Sequence, residues 1–375
     1  MRSDVIAVLL VVAILAGAGA GYLVGYANER TVTSVSTFVT TSTTTMTERT
    51  PIPITSVETG NISIGGSPYT IAVNPNASRI YVAGGSNVLT VVDAVSRTVV
   101  AAVTLPSAYN SGIAIDYKTG TVYVLIEGGI AVVNGTTNTV VKELPANFGY
   151  GSIAFDSSTD ILYGSPETVS FGNSVGYLVG IDARTGAITA NVSIGYWASD
   201  IVVNPKLNLI YAVGCAQSFV CDSVISVVNG TSAKLMNETT LGSVYYATAT
   251  IDGKTGTVYV SGDSQLVALN PYGTVIYNYY PDTCGPFSSM ADDPALNQVI
   301  MAPQNYNYLL VYSGSFGNLL NMYSLPGAPQ YVAFNPVTNE TYVIVSQSLL
   351  AFYGATSTGY VNDTLIGAGQ FCPLP

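Results

Sequence analysis

One module of about forty residues occurs seven times along this chain. Each copy has a short apolar run that ends in Asn or Asp, then a turn, then a second apolar run. The seven residues that end the first runs, which we call the anchors, are Asn74, Asp116, Asp156, Asn204, Asp252, Asp293 and Asn335. Seven residues after the anchor, six copies carry a tyrosine: Tyr81, Tyr123, Tyr163, Tyr211, Tyr259 and Tyr342. In the sixth copy Ile300 takes this position. Periods of this length are typical of solenoids, propellers and arrays.

Four short β-runs in each copy favour the propeller among these architectures. In the first copy they are TIAVN, RIYVAGG, NVLTVVDA and TVVAAVTLP. Each run is too short for a helix and rich in β-branched or aromatic residues. One such sheet cannot bury both faces alone, so successive copies must stack around an axis. The sequence therefore predicts an all-β, seven-bladed β-propeller of four-stranded antiparallel blades over residues 57–375.

The outermost strands do not decide which part of the chain closes this ring. There are eight outer-strand motifs for seven inner ones: NISIG at 61–65 matches NVSIG at 191–195, and NDTLIG at 362–367 resembles NETTLG at 237–242. Either the N-terminal copy or the C-terminal copy completes the last blade.

The first 30 residues predict an N-terminal transmembrane anchor. Residues 5–27 are uncharged and mostly apolar, and at ~1.5 Å per residue a helix of this length crosses a hydrocarbon core of roughly 30 Å. A cleaved signal peptide is the alternative, because Ala16, Ala18 and Ala20 offer small-residue cleavage patterns. Residues 31–56 are rich in Ser and Thr and predict a stalk.

Three glycines recur at every fourth position near the end of the apolar segment: Gly17, Gly21 and Gly25. Such spacing allows close packing of two helices and hence self-association of the chain. Small residues are also common in membrane helices without any such role.

Eight Asn-x-Ser/Thr triplets indicate that the C-terminal domain is extracellular and N-glycosylated. They fall in predicted turns or outer strands, at Asn61, Asn76, Asn134, Asn191, Asn229, Asn237, Asn339 and Asn362. The four cysteines agree with an oxidising compartment. Cys215 and Cys221 flank one predicted loop and can close it, whereas Cys284 and Cys372 form the second candidate pair. Free buried thiols are the alternative.

Several second strands give the chain a resemblance to a known repeat. IYVA at 80–83, VYVL at 122–125, IYAV at 210–213, VYVS at 258–261 and TYVI at 341–344 resemble the YVTN-type β-propeller repeats of archaeal and bacterial surface proteins. The resemblance implies a surface or periplasmic propeller, usually without a known reaction, and carries over no catalytic residue. With the anchor, the sequons and the scarcity of charge, the chain is similar to exported proteins of thermoacidophilic archaea.

The composition excludes several classes of function. The chain has no histidine, so Ser-His-Asp and Cys-His catalysis and imidazole ligands for metal or haem are excluded, and the sequence predicts no cofactor. Eleven Lys and Arg in 375 residues form no basic stripe, which argues against nucleic-acid binding. Carboxylates could still hold a divalent metal near the axis, and the candidates are Asp200, Asp282, Asp292 and Asp293. A role of the recurring Asn or Asp in its own turn explains the anchors better.

Aromatic residues recur in the segments that lead from an outer strand to the next inner strand. They are Tyr69, Tyr109, Phe148, Tyr150, Tyr196, Trp197, Tyr245, Tyr246, Phe287 and Tyr331. These connections gather around the central opening of a propeller, where rings could stack on sugars or hold a partner protein. From this set we predict a binding face of Tyr109, Tyr150, Trp197, Tyr246 and Phe287. Packing between blades is the alternative use of these rings.

The sequence thus predicts a membrane-anchored, glycosylated extracellular propeller that acts as a binding or structural module of the cell surface, through protein or glycan contacts on one face. An alternative is a lactonase-like propeller enzyme with a carboxylate-held divalent metal in the axial channel. A third reading is a structural subunit of the envelope with no separate ligand.

Overall fold

The computed structural model describes residues 58–108, 112–149, 151–166, 176–215, 222–243, 247–262, 265–279 and 286–353. The predicted anchor at 1–30 and the predicted stalk at 31–56 lie outside these ranges, so both stay predictions. Within the described ranges, no helix is long and apolar enough to cross a membrane.

The described residues form 28 strands in seven four-stranded antiparallel sheets, together with one 3₁₀ turn at Pro75–Ala77. Blade 1 comprises β2(Pro68–Asn74), β3(Arg79–Gly84), β4(Val88–Asp93) and β5(Thr98–Thr104). Blade 2 comprises β6(Ile113–Asp116), β7(Thr121–Ile126), β8(Gly129–Asn134) and β9(Thr139–Pro145). Blade 3 comprises β10(Ala154–Asp156), β11(Ile161–Gly164), β12(Tyr177–Asp182) and β13(Ile188–Ser193). Blade 4 comprises β14(Trp197–Asn204), β15(Leu209–Cys215), β16(Asp222–Asn229) and β17(Lys234–Ser243). Blade 5 comprises β18(Thr248–Ile251), β19(Val258–Gly262), β20(Gln265–Leu269) and β21(Val275–Tyr279). Blade 6 comprises β22(Phe287–Asp293), β23(Gln298–Pro303), β24(Tyr308–Ser313) and β25(Leu319–Ser324). Blade 7 comprises β26(Pro329–Asn335), β27(Glu340–Val345), β28(Ser348–Tyr353) and β1(Glu58–Ser63).

The seven blades form a closed ring. Each inner strand contacts the inner strand of the next blade, and β26 of the last blade contacts β2 of the first. Seven clusters of buried apolar side chains accompany this arrangement, one between each pair of successive blades. The core is therefore distributed around the axis, as expected for sheets that bury their faces only against neighbours. The predicted seven-bladed propeller is confirmed.

The N-terminal strand closes the ring, which settles the alternative that the sequence left open. β1 is the outermost strand of blade 7, where Asn61 pairs with Leu350 and Ser63 with Ser348. Ile62 is buried between blade 7 and blade 1. An ion pair joins the same two blades, since Arg97 of blade 1 contacts the buried carboxylate of Glu340 in blade 7. The second candidate strand, 362–367, lies outside the described residues.

The anchors accept the same hydrogen bond within their turn in every blade. The side-chain oxygen of each accepts a hydrogen bond from the backbone N–H two residues later, over 2.7 to 3.2 Å. All seven are at most 6% exposed. This confirms the prediction that a short polar side chain at this point holds the turn.

The recurring tyrosines of the second strands join neighbouring blades. All six are buried, and three donate a hydrogen bond to a backbone carbonyl of the next blade. The acceptors are Pro271 for Tyr211 at 2.8 Å, Gly314 for Tyr259 at 3.1 Å and Ala94 for Tyr342 at 3.4 Å. The repeated tyrosine is thus a residue of the interface between blades.

Candidate functional site

The structure separates the predicted binding face into different environments. Tyr109, Tyr150 and Tyr246 lie outside the described residues, so their role stays a prediction. Trp197, at the start of β14, is 39% exposed. Phe287 is only 1% exposed and belongs to the apolar cluster between blades 5 and 6. Its ring is therefore almost wholly packed between blades rather than displayed, although Phe287 is among the residues that line the cavity on the axis, and its predicted binding role stays untested.

The position of Phe287 explains its burial. It lies six residues before the anchor of its blade, and the corresponding residues Pro68, Ala198 and Pro329 are buried as well. Trp197 lies seven residues before its anchor, so successive side chains of the strand place it on the other side. The sequence shows that an aromatic residue precedes the strand. The face of the sheet on which its side chain lies depends on the residue at which the strand begins.

Four of the described aromatic residues in these connections stay at least partly accessible: Tyr69, Phe148, Trp197 and Tyr331. We call Tyr69, Trp197 and Tyr331 the rim aromatics. Tyr69 is 44% exposed, whereas Tyr331 is half-buried. A Cβ added to Gly151, a residue of the central opening, would lie 3.3 Å from Cζ2 of Trp197. In contrast, Tyr196 is buried and donates to Ala212 O and Ser226 Oγ, so it has the packing role.

A cavity of about 440 Å³ lies on the axis and is lined by the first residues of all seven inner strands. Each blade contributes to it the residue four positions before its anchor, and we call this set the channel ring. Its members in chain order are Thr70, Gly112, Ser152, Asp200, Thr248, Ser289 and Tyr331. Six of the seven carry a hydroxyl or a carboxyl group. The sequence analysis missed this ring as a set, although counting back four residues from every anchor would have found it.

β-Bulges place the ring residues in four blades. The pairing of inner and second strands shifts by one residue between Pro68 and Thr70, Ala198 and Asp200, Phe287 and Ser289, and Pro329 and Tyr331. A bulge bends its strand and re-aims the adjacent side chains. The extra residues are Tyr69, Ser199, Ser288 and Gln330. Ser199 and Ser288 each donate to a carbonyl of their own blade and to one of the next.

Part of the channel ring is bonded to its neighbours, and we call Ser152, Asp200, Thr248 and Ser289 the bonded arc. Asp200 Oδ2 accepts from Thr248 Oγ1 at 3.0 Å and from the backbone N–H of Ala249 at 2.9 Å. Its Oδ1 accepts from the N–H of Ile201 at 2.9 Å, and the Ser152 hydroxyl also hydrogen-bonds this carboxyl group. Ser289 Oγ both accepts from the N–H of Val332 and donates to its carbonyl oxygen. These bonds connect blades 3, 4 and 5, and blades 6 and 7.

The remaining members, Tyr331, Thr70 and Gly112 of blades 7, 1 and 2, form what we call the open arc. The hydroxyls of Tyr331 and Thr70 have no hydrogen-bond partner within the described part of the chain. Gly112 contributes no side chain. Two polar groups therefore face the cavity with their hydrogen-bonding capacity unused, which does not hold for the bonded arc.

The cavity is nearly free of charged side chains. Asp200 is the one acidic residue among its described lining residues, and no lysine or arginine is among them. Burial raises the pKa of Asp200 and its hydrogen bonds oppose that shift. Burial also raises the pKa of Tyr331, and the nearby Asp200 and Tyr69 add to it. Asp200 and Tyr69 therefore act on the pKa of Tyr331 in the same direction as its burial.

The carboxylates considered for a metal site do not meet at the axis. Asp292 and Asp293 end strand β22, at its turn end, while Asp200 lies near the channel end of β14. Burial, followed by the charges of Asp252 and Asp293, raises the pKa of Asp292 to about 8. Asp282 lies outside the described residues. Among those described, no three His, Cys, Asp or Glu side chains are grouped closely enough to hold a metal ion.

The predicted glycosylation and disulfide residues stay predictions, with some context from the structure. Four sequon asparagines are exposed, Asn61, Asn76, Asn134 and Asn191, and three are half-buried, Asn229, Asn237 and Asn339. Asn362 lies outside the described residues. Cys215 takes part in a disulfide. Its predicted pairing with Cys221 and the pairing of Cys284 with Cys372 are not tested, because these three cysteines fall outside the described ranges.

Comparison with solved structures shows the fold. The chain is similar to the β-propeller domain of Cps50 (Swd1) from Myceliophteria thermophila, with a TM-score of 0.64 and 9% identity over 80% of this chain and 99% of that one. It is also similar to hydrazine synthase from Kuenenia stuttgartiensis, with a TM-score of 0.65 and 14% identity over 82% of this chain and 99% of that one. No family model and no curated protein matches the chain. The comparisons therefore support a propeller, whereas the YVTN-type resemblance rests on the second-strand motifs alone.

Proposed function

We propose that this chain is a membrane-anchored, glycosylated binding module of the cell surface that holds its ligand at the mouth of the axial cavity. The observation that carries the proposal is the combination, at one end of the ring, of accessible aromatic rings with unused hydroxyls. Aromatic rings that are half exposed supply large contact areas at low entropic cost, and they dominate many binding sites. A cavity with a few convergent polar groups is also the usual form of a ligand site.

Three observations support the location of the module outside the cell. Residues 5–27 are long and apolar enough for an anchor. Four sequons present exposed asparagines. The disulfide at Cys215 suits an oxidising compartment, because disulfides are rare in reducing ones.

A glycan array with the wild type and two variants tests the binding role. Trp197→Ala removes a rim aromatic, and Phe316→Ala is the matched control. Phe316 is 70% exposed in the turn between β24 and β25, which is hydrogen-bonded to the turn after β22 and so lies at the turn end of blade 6. We expect Trp197→Ala to lose binding by about tenfold or more, while the free energy of unfolding falls by about 1 kcal/mol or less. A blank array for the wild type, or equal losses in both variants, contradicts the proposal.

A further inference from the structure

We propose that the open arc of the channel ring holds one ring of a neutral sugar, inserted edge-first into the axial cavity. The inference rests on the proposed binding function and names the chemical class of its ligand. The volume of about 440 Å³ falls within the range of about 300 to 1,000 Å³ that is typical of small-molecule sites. All seven blades contribute to its walls, so the ligand enters along the axis.

The hydroxyls of the open arc fit the polar edge of a sugar. Thr70 and Tyr331 can each donate one hydrogen bond and accept others, and neither has a partner among the described residues. A ligand with several hydroxyl groups can hydrogen-bond to both residues at once. The need for packing between blades explains the bonded arc, where each group already has a protein partner. It does not explain two hydroxyls that face the cavity unpaired.

The apolar side chains of the open arc's blades fit the apolar face of the same ligand. Ile71 and Val332 directly follow Thr70 and Tyr331 and line the same cavity, whereas the exposed Tyr69 is not among its lining residues and lies beside Gly85. A pyranose presents C–H groups on its flat face and hydroxyls around its edge. Ile71, Val332 and the Tyr331 ring can cover the first, while the hydroxyls of Tyr331 and Thr70 bond the second.

The charges of the cavity exclude the two other ligand classes. An anion would face Asp200 without any lysine or arginine in the described lining, inside a chain of formal net charge −11. A divalent cation would need free carboxylate oxygens. Both oxygens of Asp200 already accept hydrogen bonds, from Ile201 on one side and from Thr248 and Ala249 on the other. A neutral polyhydroxylated ligand requires neither a counter-charge nor these oxygens.

Titration calorimetry with single sugars tests the inference on the full chain, produced in a host without N-glycosylation and kept free of sugar-based detergents. The probes are glucose, galactose, mannose and N-acetylglucosamine, with glucuronate and Ca²⁺ alone as the charged probes. We expect at least one neutral sugar to bind. Glucuronate should bind more weakly than the best neutral sugar, and Ca²⁺ should neither bind nor be required.

Two variants of the open arc and one of the bonded arc locate the ligand. Thr70→Val and Tyr331→Phe each remove one unbonded hydroxyl, so each should weaken the best neutral sugar about three- to tenfold without changing the melting temperature. Ser289→Ala removes a bonded hydroxyl from the same ring. It should lower the melting temperature and leave the affinity unchanged within about twofold.

The outcomes separate this inference from the proposed function. If single sugars do not bind, or if Ser289→Ala weakens binding as much as Tyr331→Phe, while the glycan array still shows binding that depends on Trp197, the sugar in the open arc is wrong and the binding module stands. Tighter binding of glucuronate than of neutral sugars also overturns the inference. A blank array together with absent sugar binding overturns both.

Discussion

The two ends of each inner strand follow opposite rules. At the turn end, all seven anchors are Asn or Asp, and all seven accept a hydrogen bond from the N–H two residues later. At the channel end, the seven ring positions hold Thr, Gly, Ser, Asp, Thr, Ser and Tyr. The turn demands a short acceptor in every copy. The channel end has no such shared demand, so its residues can differ from blade to blade.

This difference teaches where a repeat protein can acquire a specific site. A residue that is the same in every copy serves the geometry that every copy shares. A position that varies while it faces a common cavity breaks the symmetry of the ring. Here the variation divides the ring into a bonded arc that connects blades and an open arc with unused hydroxyls.

The comparison assumes a closed ring, and deletion of residues 57–66 tests that assumption with the largest expected effect. The deletion removes β1, exposes β28 as a sheet edge and uncovers the apolar surface that Ile62 and Ile64 bury. We expect the free energy of unfolding to fall by about 4 kcal/mol or more. Chemical denaturation measures this change.

Deletion of residues 362–367 is the matched control, since blade 7 already has four strands without them. We expect a much smaller effect. If the second deletion destabilises the domain more than the first, then the closure described above is wrong and the axial cavity is bounded differently.

Asp292 sharpens the comparison at the turn end, because it places a carboxyl group where the other blades have apolar residues. Directly before the other anchors the chain has Val73, Ile115, Phe155, Val203, Ile251 and Phe334. Burial raises the pKa of Asp292 from 3.8 to about 8. A carboxyl group with a raised pKa binds its proton more tightly in the folded state. Its contribution is therefore most favourable below its unfolded pKa near 4 and is lost as the pH rises from about 4 to 8.

Asp292→Asn should accordingly stabilise the domain at pH 7 and change little at pH 3. At pH 7 the interval above the unfolded pKa of 3.8 is about three pH units, which corresponds to roughly 4 kcal/mol, and partial exposure reduces the expected gain to about 2 to 3 kcal/mol. Unfolding at both pH values measures it. Asp182→Asn is the control, because hydrogen bonds from Thr185 lower the pKa of the half-buried Asp182, so no gain is expected there. An equal gain at pH 3 and pH 7 for Asp292→Asn would refute the account.

The sequence predicts the fold because the anchors, the tyrosines and the strand lengths repeat in every blade. It cannot decide the closure, because NISIG and NDTLIG match other outer strands equally well and only pairing with β28 distinguishes them. The channel ring is hidden for a physical reason: Thr70, Ser152 and Ser289 look like ordinary polar residues until all seven strands bring them to one axis. Phe287 could not be placed from the sequence either, because an aromatic side chain at the start of a strand is exposed or buried according to the residue at which the strand begins.

The most direct test of the contrast between the strand ends uses two positions on the single strand β26. Asn335 is the anchor of blade 7 and accepts from the N–H groups of Val337 and Thr338, whereas the Tyr331 hydroxyl four residues earlier has no partner among the described residues. We predict by chemical denaturation that Asn335→Ala lowers the free energy of unfolding by about 1 to 2 kcal/mol and that Tyr331→Phe changes it by less than about 0.5 kcal/mol. A loss for Tyr331→Phe as large as that for Asn335→Ala would contradict the account, because the channel end would then stabilise the fold as the turn end does.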